Sequence, residues 1–173
     1  RTIATDTVRM PWLKSPEHFT DRCSRCGHCV SACPTAVIRV GDGGFPEIDF
    51  QQGECLFCGD CARACDEALF DLGLPQPWSA QARVSDGCLN NRSVFCRSCI
   101  ETCEPEAIRF TIENSLLVAP TIDAEACNGC GACVSVCPTQ AITVTEASAV
   151  TKASTVTEET VLKETITLKG DKP

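Results

Sequence analysis

The placement of sixteen cysteines along 173 residues constrains this chain more than any other feature. They fall in four groups. Group one is Cys23, Cys26, Cys29 and Cys33, followed by Pro34, and group two is Cys55, Cys58, Cys61 and Cys65, followed by Asp66. Group three is Cys88, Cys96, Cys99 and Cys103, with Pro105 one place later than in group one. Group four is Cys127, Cys130, Cys133 and Cys137, followed by Pro138. Cysteine this dense belongs either to a disulfide scaffold outside the cell or to a metal-rich protein inside it, and the spacings decide between them.

Groups one, two and four share the spacing C-x2-C-x2-C-x3-C, the bacterial run that ligates [4Fe–4S] clusters. Three cysteines three residues apart let a short loop wrap one cubane and ligate three of its irons. Gly27, Gly59, Gly129 and Gly131 let the backbone approach closely and aim N–H groups at the cluster sulfurs. The fourth cysteine is expected at the start of a short helical turn that points away, so that it ligates the neighbouring cluster. The proline after it ends the turn. Zinc would call for pairs of C-x2-C separated by a longer linker, four ligands to each ion, which four repeats of a triplet plus one do not supply. A disulfide framework needs an oxidising compartment, and cysteines this crowded would close strained or very small loops. The sixteen cysteines therefore predict four [4Fe–4S] clusters.

The segments between groups repeat as well. Group one is followed by TAVIRV, a GDGG turn and FPEIDF; group three by EAIRFTI, an ENS turn and LLVAPTID; group four by QAITVTE as a last strand. Each reads as strand, hairpin turn, strand and next cluster loop. The predicted fold is α+β, a tandem of bacterial-type two-cluster ferredoxin-like units with small antiparallel hairpins and short helices around the clusters. The prolines and glycine of LGLPQPWSA, residues 72–80, mark a break. The expected organisation is an N-terminal extension over 1–20, a first unit over 21–73, a linker over 74–84, a second unit over 85–145 and a flexible tail over 146–173. With that division, Cys23, Cys26, Cys29 and Cys65 hold one cluster, and Cys55, Cys58, Cys61 and Cys33 a second. Cys88, Cys96, Cys99 and Cys137 hold a third, and Cys127, Cys130, Cys133 and Cys103 the fourth. A crossed arrangement, pairing group one with four and two with three, fits the intervals between groups as well.

Group three departs from its siblings, since the seven residues LNNRSVF separate Cys88 from Cys96. They form an extra loop over the third cluster, where Asn90, Asn91, Arg92 and Arg97 are placed to donate to sulfur and raise its potential; a plain solvated loop is the competing reading. The same arginines, in a chain of formal net charge −8, offer a basic spot for orienting a partner. His28 reads as a surface neighbour of its cluster rather than a proton coupler. Trp12 and Trp78 read as packing at cluster edges or unit interfaces.

The acidic balance argues against nucleic-acid binding, which needs clustered basic charge. The opening RTIATDTVRMPWLKSPEHF has no apolar run resembling a signal-peptide core, and apolar stretches elsewhere are only a few residues long. Neither secretion nor a membrane span is therefore expected, although the chain starts at Arg1 rather than Met and any signal ahead of it would go unseen. No nucleophile–base arrangement or glycine-rich phosphate loop accompanies the cysteines, and all sixteen are consumed as ligands, so no catalytic residues are expected. The chemistry is that of a wire or a docking module.

From about Pro11–Trp12 to about Thr145 the chain resembles the NapF family, the ferredoxin-type accessory proteins of periplasmic nitrate reductase systems. The resemblance rests on the four cysteine groups, GGFPEIDF, CNGCGACVSVCPTQAI and, most specifically, the stretched third group ending VFCRSCIETCEPEAI. It implies a cytoplasmic, non-enzymatic protein that meets the molybdenum-containing catalytic subunit before export and assists its maturation. The alternative is an electron-transfer polyferredoxin subunit that passes electrons to a terminal reductase.

Overall fold

Three two-stranded antiparallel sheets and a series of one-turn helices make up the computed structural model, which describes residues 8–113 and 116–146. The first sheet is a hairpin of β1 (Ile38–Val40) and β2 (Pro46–Ile48), paired from Ile38–Ile48 to Val40–Pro46. The turn between them is the GDGG segment, where Gly43 and Gly44 both take positive φ. A second hairpin joins β4 (Ile108–Glu113) to β5 (Leu116–Ile122), with a bulge between Arg109 and Thr111. Both hairpins lie where the alternating segments between cysteine groups predict them.

The remaining sheet pairs strands far apart in sequence. β3 (Ala80–Val84) runs antiparallel to β6 (Ile142–Glu146), with Ala82 opposite Val144. Ala80, Ala82, Ile142 and Val144 turn inward, while Arg83 and Thr143 face solvent, the period-two pattern of a half-buried strand pair. Cysteine groups three and four thus lie between two strands that close on each other. A smaller version brackets groups one and two. Leu13 bridges Phe70, Lys14 N–H donates to Leu69 O at 3.0 Å, and Asp71 N–H donates to Trp12 O at 2.8 Å.

β3 begins inside the stretch read as a linker, because the break ends at Ser79 and the small Ala80 and Ala82 fit a close-packed sheet face. Likewise Val8, Met10, Trp12 and Leu13 are buried although they belong to the stretch read as an extension. One hydrophobic core joins Val8, Met10 and Leu13 with Val37, Ile38, Phe50 and Leu69 from the first half and Ile108, Val134, Ile142 and Val144 from the second. The tail from 147 onward lies outside the described residues. Among the described residues no helix is long and apolar enough to cross a membrane.

Candidate metal centres

Each cysteine group is built on the same short piece of backbone. After α1 (Phe19–Arg22), the one-turn helices are α2 (His28–Ser31), α3 (Asp60–Arg63), α4 (Ser98–Glu101) and α5 (Ala132–Ser135). The third cysteine of each group occupies the second position of its helix. The fourth sits just past the helix end, and its N–H bonds the carbonyl three residues back: Cys33 to Val30, Cys65 to Ala62, Cys103 to Ile100 and Cys137 to Val134. This corrects the expectation that the fourth cysteine starts a helical turn. The turn begins immediately after the second cysteine, where Gly27, Gly59 and Gly131 reverse the chain in the left-handed region (φ 78°, 76° and 83°). Three residues beyond each fourth cysteine the chain turns again through a positive φ, at Ala36, Ala68, Glu106 and Gln140.

This scaffold gathers the cysteines into sets of four. Cys23, Cys26, Cys29 and Cys65 line a pocket walled by Phe19, Leu69 and Phe70. Cys33, Cys55, Cys58 and Cys61 line another against Pro11, Trp12, Val37 and Ile38. Cys88, Cys96, Cys99 and Cys137 line a third with Val84, Leu89 and Ile142. Cys130 and Cys133 stand close enough to Cys103 and Cys127 for the charges of these thiolates to act on them. Among the described residues no three His, Cys, Asp or Glu side chains converge as a mononuclear ion requires. The thiols instead stand around the walls of apolar pockets, an arrangement that fits a cubane whose corners each take one soft sulfur ligand.

Burial pushes the Cys29, Cys55 and Cys99 thiols up to about 11, and those of Cys61 and Cys133 up to about 12, with neighbouring thiolates adding to the effect. Isolated thiolates are therefore costly here, and bound iron must displace the protons it replaces. Cys33 and Cys137 behave oppositely. Burial raises both, but hydrogen bonds outweigh it and hold them below the ordinary thiol value. At Cys137 the donors include Ala141 N–H, 3.2 Å from Sγ, and the Thr139 hydroxyl at 3.8 Å; at Cys33 they include the backbone N–H groups of Thr35, Val37 and Ile38, while the Thr35 hydroxyl, 3.5 Å from Sγ, donates to Glu54 O at 2.6 Å. The sequence reading missed both threonines. Their signal was there, in the matching Cys33-Pro34-Thr35 and Cys137-Pro138-Thr139, which the second and third groups lack.

The inserted loop of group three is held by its asparagines rather than left free to donate to sulfur. Asn90 is buried; its Oδ1 accepts from Cys96 N–H at 2.9 Å and its Nδ2 donates to Cys96 O at 3.1 Å. Asn91 Oδ1 accepts from Ala119 N–H at 2.8 Å, tying the loop to β5. Arg97 is paired with Glu101 at 2.8 Å, which offsets part of the basic spot. In group three Arg97 stands where the other groups have the left-handed glycine, and its φ of −135° and ψ of 8° lie outside the left-handed region. His28 and Asp66 meet at 3.5 Å on the surface, both exposed, as the surface reading of His28 has it. Trp78 packs edge-on against Phe50 and Phe57, and its Nε1–H donates to Asn128 O at 2.9 Å, so it seals the contact between the halves.

Soft thiol donors gathered on a repeated loop–turn scaffold define a ferredoxin-type iron–sulfur protein. Residues 22–68 match the family model of the 4Fe-4S dicluster domain, and residues 120–143 that of the 4Fe-4S binding domain. The chain is 41% identical over 140 residues to the ferredoxin-type protein NapF of Escherichia coli K12, covering 81% of this chain and 85% of the relative. It is 44% identical over 137 residues to that of Haemophilus influenzae, covering 79% and 78%. A more distant relative is the methylamine utilization ferredoxin-type protein MauM of Methylorubrum extorquens, 31% identical over 148 residues, with 75% and 67% covered. The chain belongs to the NapF family of ferredoxin-type proteins and binds [4Fe–4S] clusters.

Proposed function

We propose that this protein carries four [4Fe–4S] clusters in two tandem two-cluster units and serves as a cytoplasmic accessory factor to the molybdenum-containing catalytic subunit of a periplasmic nitrate reductase, acting before export. The observation that carries the cluster count is the gathering of the cysteines into sets of four. The ligand sets are Cys23, Cys26, Cys29 and Cys65; Cys33, Cys55, Cys58 and Cys61; Cys88, Cys96, Cys99 and Cys137; and Cys103, Cys127, Cys130 and Cys133. A dicluster match spanning groups one and two supports pairing within halves, as do the end pairings at Leu13–Phe70 and β3–β6. The partner and the compartment rest on the NapF family membership. The protein is not itself an enzyme; its residues hold clusters and dock.

A second reading, an electron-transfer subunit feeding a terminal reductase, is favoured by the ferredoxin-type description shared with a relative from methylamine utilization. Anaerobic pull-down with the cluster-loaded protein separates the two. Maturation predicts capture of the reductase catalytic subunit before export, strongest when that subunit lacks its own cluster. Electron transfer predicts little stable capture but rapid reoxidation of the reduced protein by the mature reductase.

A further inference from the structure

The two halves meet through the cluster-binding loops themselves. Cys55, which opens group two, donates its N–H to the carbonyl of Cys130 in group four at 2.8 Å. The Cys130 thiolate is among the charges that act on Cys55. Around this contact the halves interlock. A side chain at Gly131 would meet the ring of Phe50, Phe50 and Phe57 both pack edge-on against Trp78, and Trp78 bonds the backbone of Asn128 between Cys127 and Cys130. Within each half the neighbours are different. α2 packs on α3, bringing Cys29 near Cys61, and α4 packs on α5, bringing Cys99 near Cys133.

Taken together these contacts give one spatial order. We propose that the four sets form a single-file relay in the order Cys23/26/29/65, Cys33/55/58/61, Cys103/127/130/133, Cys88/96/99/137, and that electrons cross between the halves at the Cys55–Cys130 contact. The third and fourth groups are therefore reversed in space relative to the chain. The set carrying the inserted loop stands at one end, and the first set at the other. The inference rests on the ligand sets proposed above. Each step moves one electron: a reduced cluster in one set is oxidised as the oxidised cluster in the next set is reduced, with no bond made and no proton moved. Electron tunnelling falls steeply with distance, so a direct hydrogen bond between two ligand residues is the shortest bridge the fold offers. Phe50, Phe57 and Trp78 pack beside this bridge and hold the two loops together.

Removing one end set at a time tests this. Cys26→Ala with Cys29→Ala removes the first set, and Cys96→Ala with Cys99→Ala removes the opposite end. The relay predicts that in either fully reduced variant, photoreduced with a low-potential one-electron donor, every remaining cluster stays magnetically coupled to a neighbour in its EPR spectrum. Two independent pairs would instead leave one cluster with a simple uncoupled signal in each variant, and that result overturns the proposal. Cys55→Ala with Cys58→Ala is the positive control, because it must isolate the first set and show the uncoupled signal. Variants should retain about twelve irons. If the intact chain binds no iron, the cluster reading itself fails; if it is loaded and uncoupled signals appear, only the relay fails. Should the variants not load, dipolar EPR distances in the sparsely reduced intact chain decide. The relay requires three comparable nearest-neighbour distances, and finding only two overturns it.

Discussion

Alanine at Gly131 should harm this protein far more than alanine at Gly27, although both glycines follow the second cysteine of their group with nearly the same φ, 83° and 78°. Both substitutions incur the left-handed strain of a side chain, about 1 kcal/mol. They differ in what the new Cβ meets. At Gly27 nothing lies within 4 Å, whereas at Gly131 the Cβ would fall 1.9 Å from Phe50 Cδ1. At the equivalent Gly59 the Cβ faces Arg63 and Leu72 rather than the thiols, so in this repeated turn it points away from the cluster. Phe50 is buried against Trp78 and cannot swing clear, so the halves must move apart. Overpacking of this kind costs about 1–3 kcal/mol beyond the shared strain. Where the contact is lost in the unfolding transition state, that difference speeds unfolding by roughly 5-fold to 150-fold. The assay is anaerobic bleaching of cluster absorbance in guanidinium, on variants whose iron content has first been matched. Equal bleaching rates for Gly27→Ala and Gly131→Ala would refute the close contact between the halves.

Asn90→Ala should strip both hydrogen bonds from the Cys96 backbone, destabilise the loop by about 2–3 kcal/mol and make the set containing Cys88 and Cys96 lose iron first, seen as a fast bleaching phase absent from the parent. Thr139→Val should lower one reduction potential by about 20 mV, the equivalent of a weak hydrogen bond of about 0.5 kcal/mol, in an EPR-monitored redox titration; the other three should not move. Cys65→Ser, which offers iron a harder and poorer ligand, should cost the protein about four irons, those shared with Cys23, Cys26 and Cys29, and leave groups three and four loaded. Iron lost from the second half would favour the crossed pairing.

Much of the site was written in the sequence because cluster ligation is local. Cysteine spacing and the glycines beside it dictate a loop only a few residues long, and Gly27, Gly59, Gly129 and Gly131 all take the positive φ that this loop requires. The hairpins after groups one and three were legible for the same reason, from alternating strands around short turns. What escaped notice depends on distance or on context. β3 and β6 are separated by two whole cysteine groups, and Ala80-Gln81-Ala82 gives no strand signal of its own. Val8, Met10 and Leu13 lie in a stretch too short to announce an element, yet they are buried in a core assembled from both halves. Ala36, Ala68, Glu106 and Gln140 adopt left-handed backbone that no glycine or asparagine announces; the turn after each fourth cysteine imposes it. Asn90 looked like a candidate donor to sulfur, and only its burial against Cys96 shows that it holds the loop.

What the sixteen cysteines hold decides what this protein is. Iron, acid-labile sulfide and zinc measured on anaerobically purified protein, with Mössbauer spectra of the same sample, test this most directly. Four filled sets predict about sixteen irons and sixteen sulfides per chain, all in [4Fe–4S] form. A colourless protein loaded with zinc, or one that saturates at about eight irons, would contradict it.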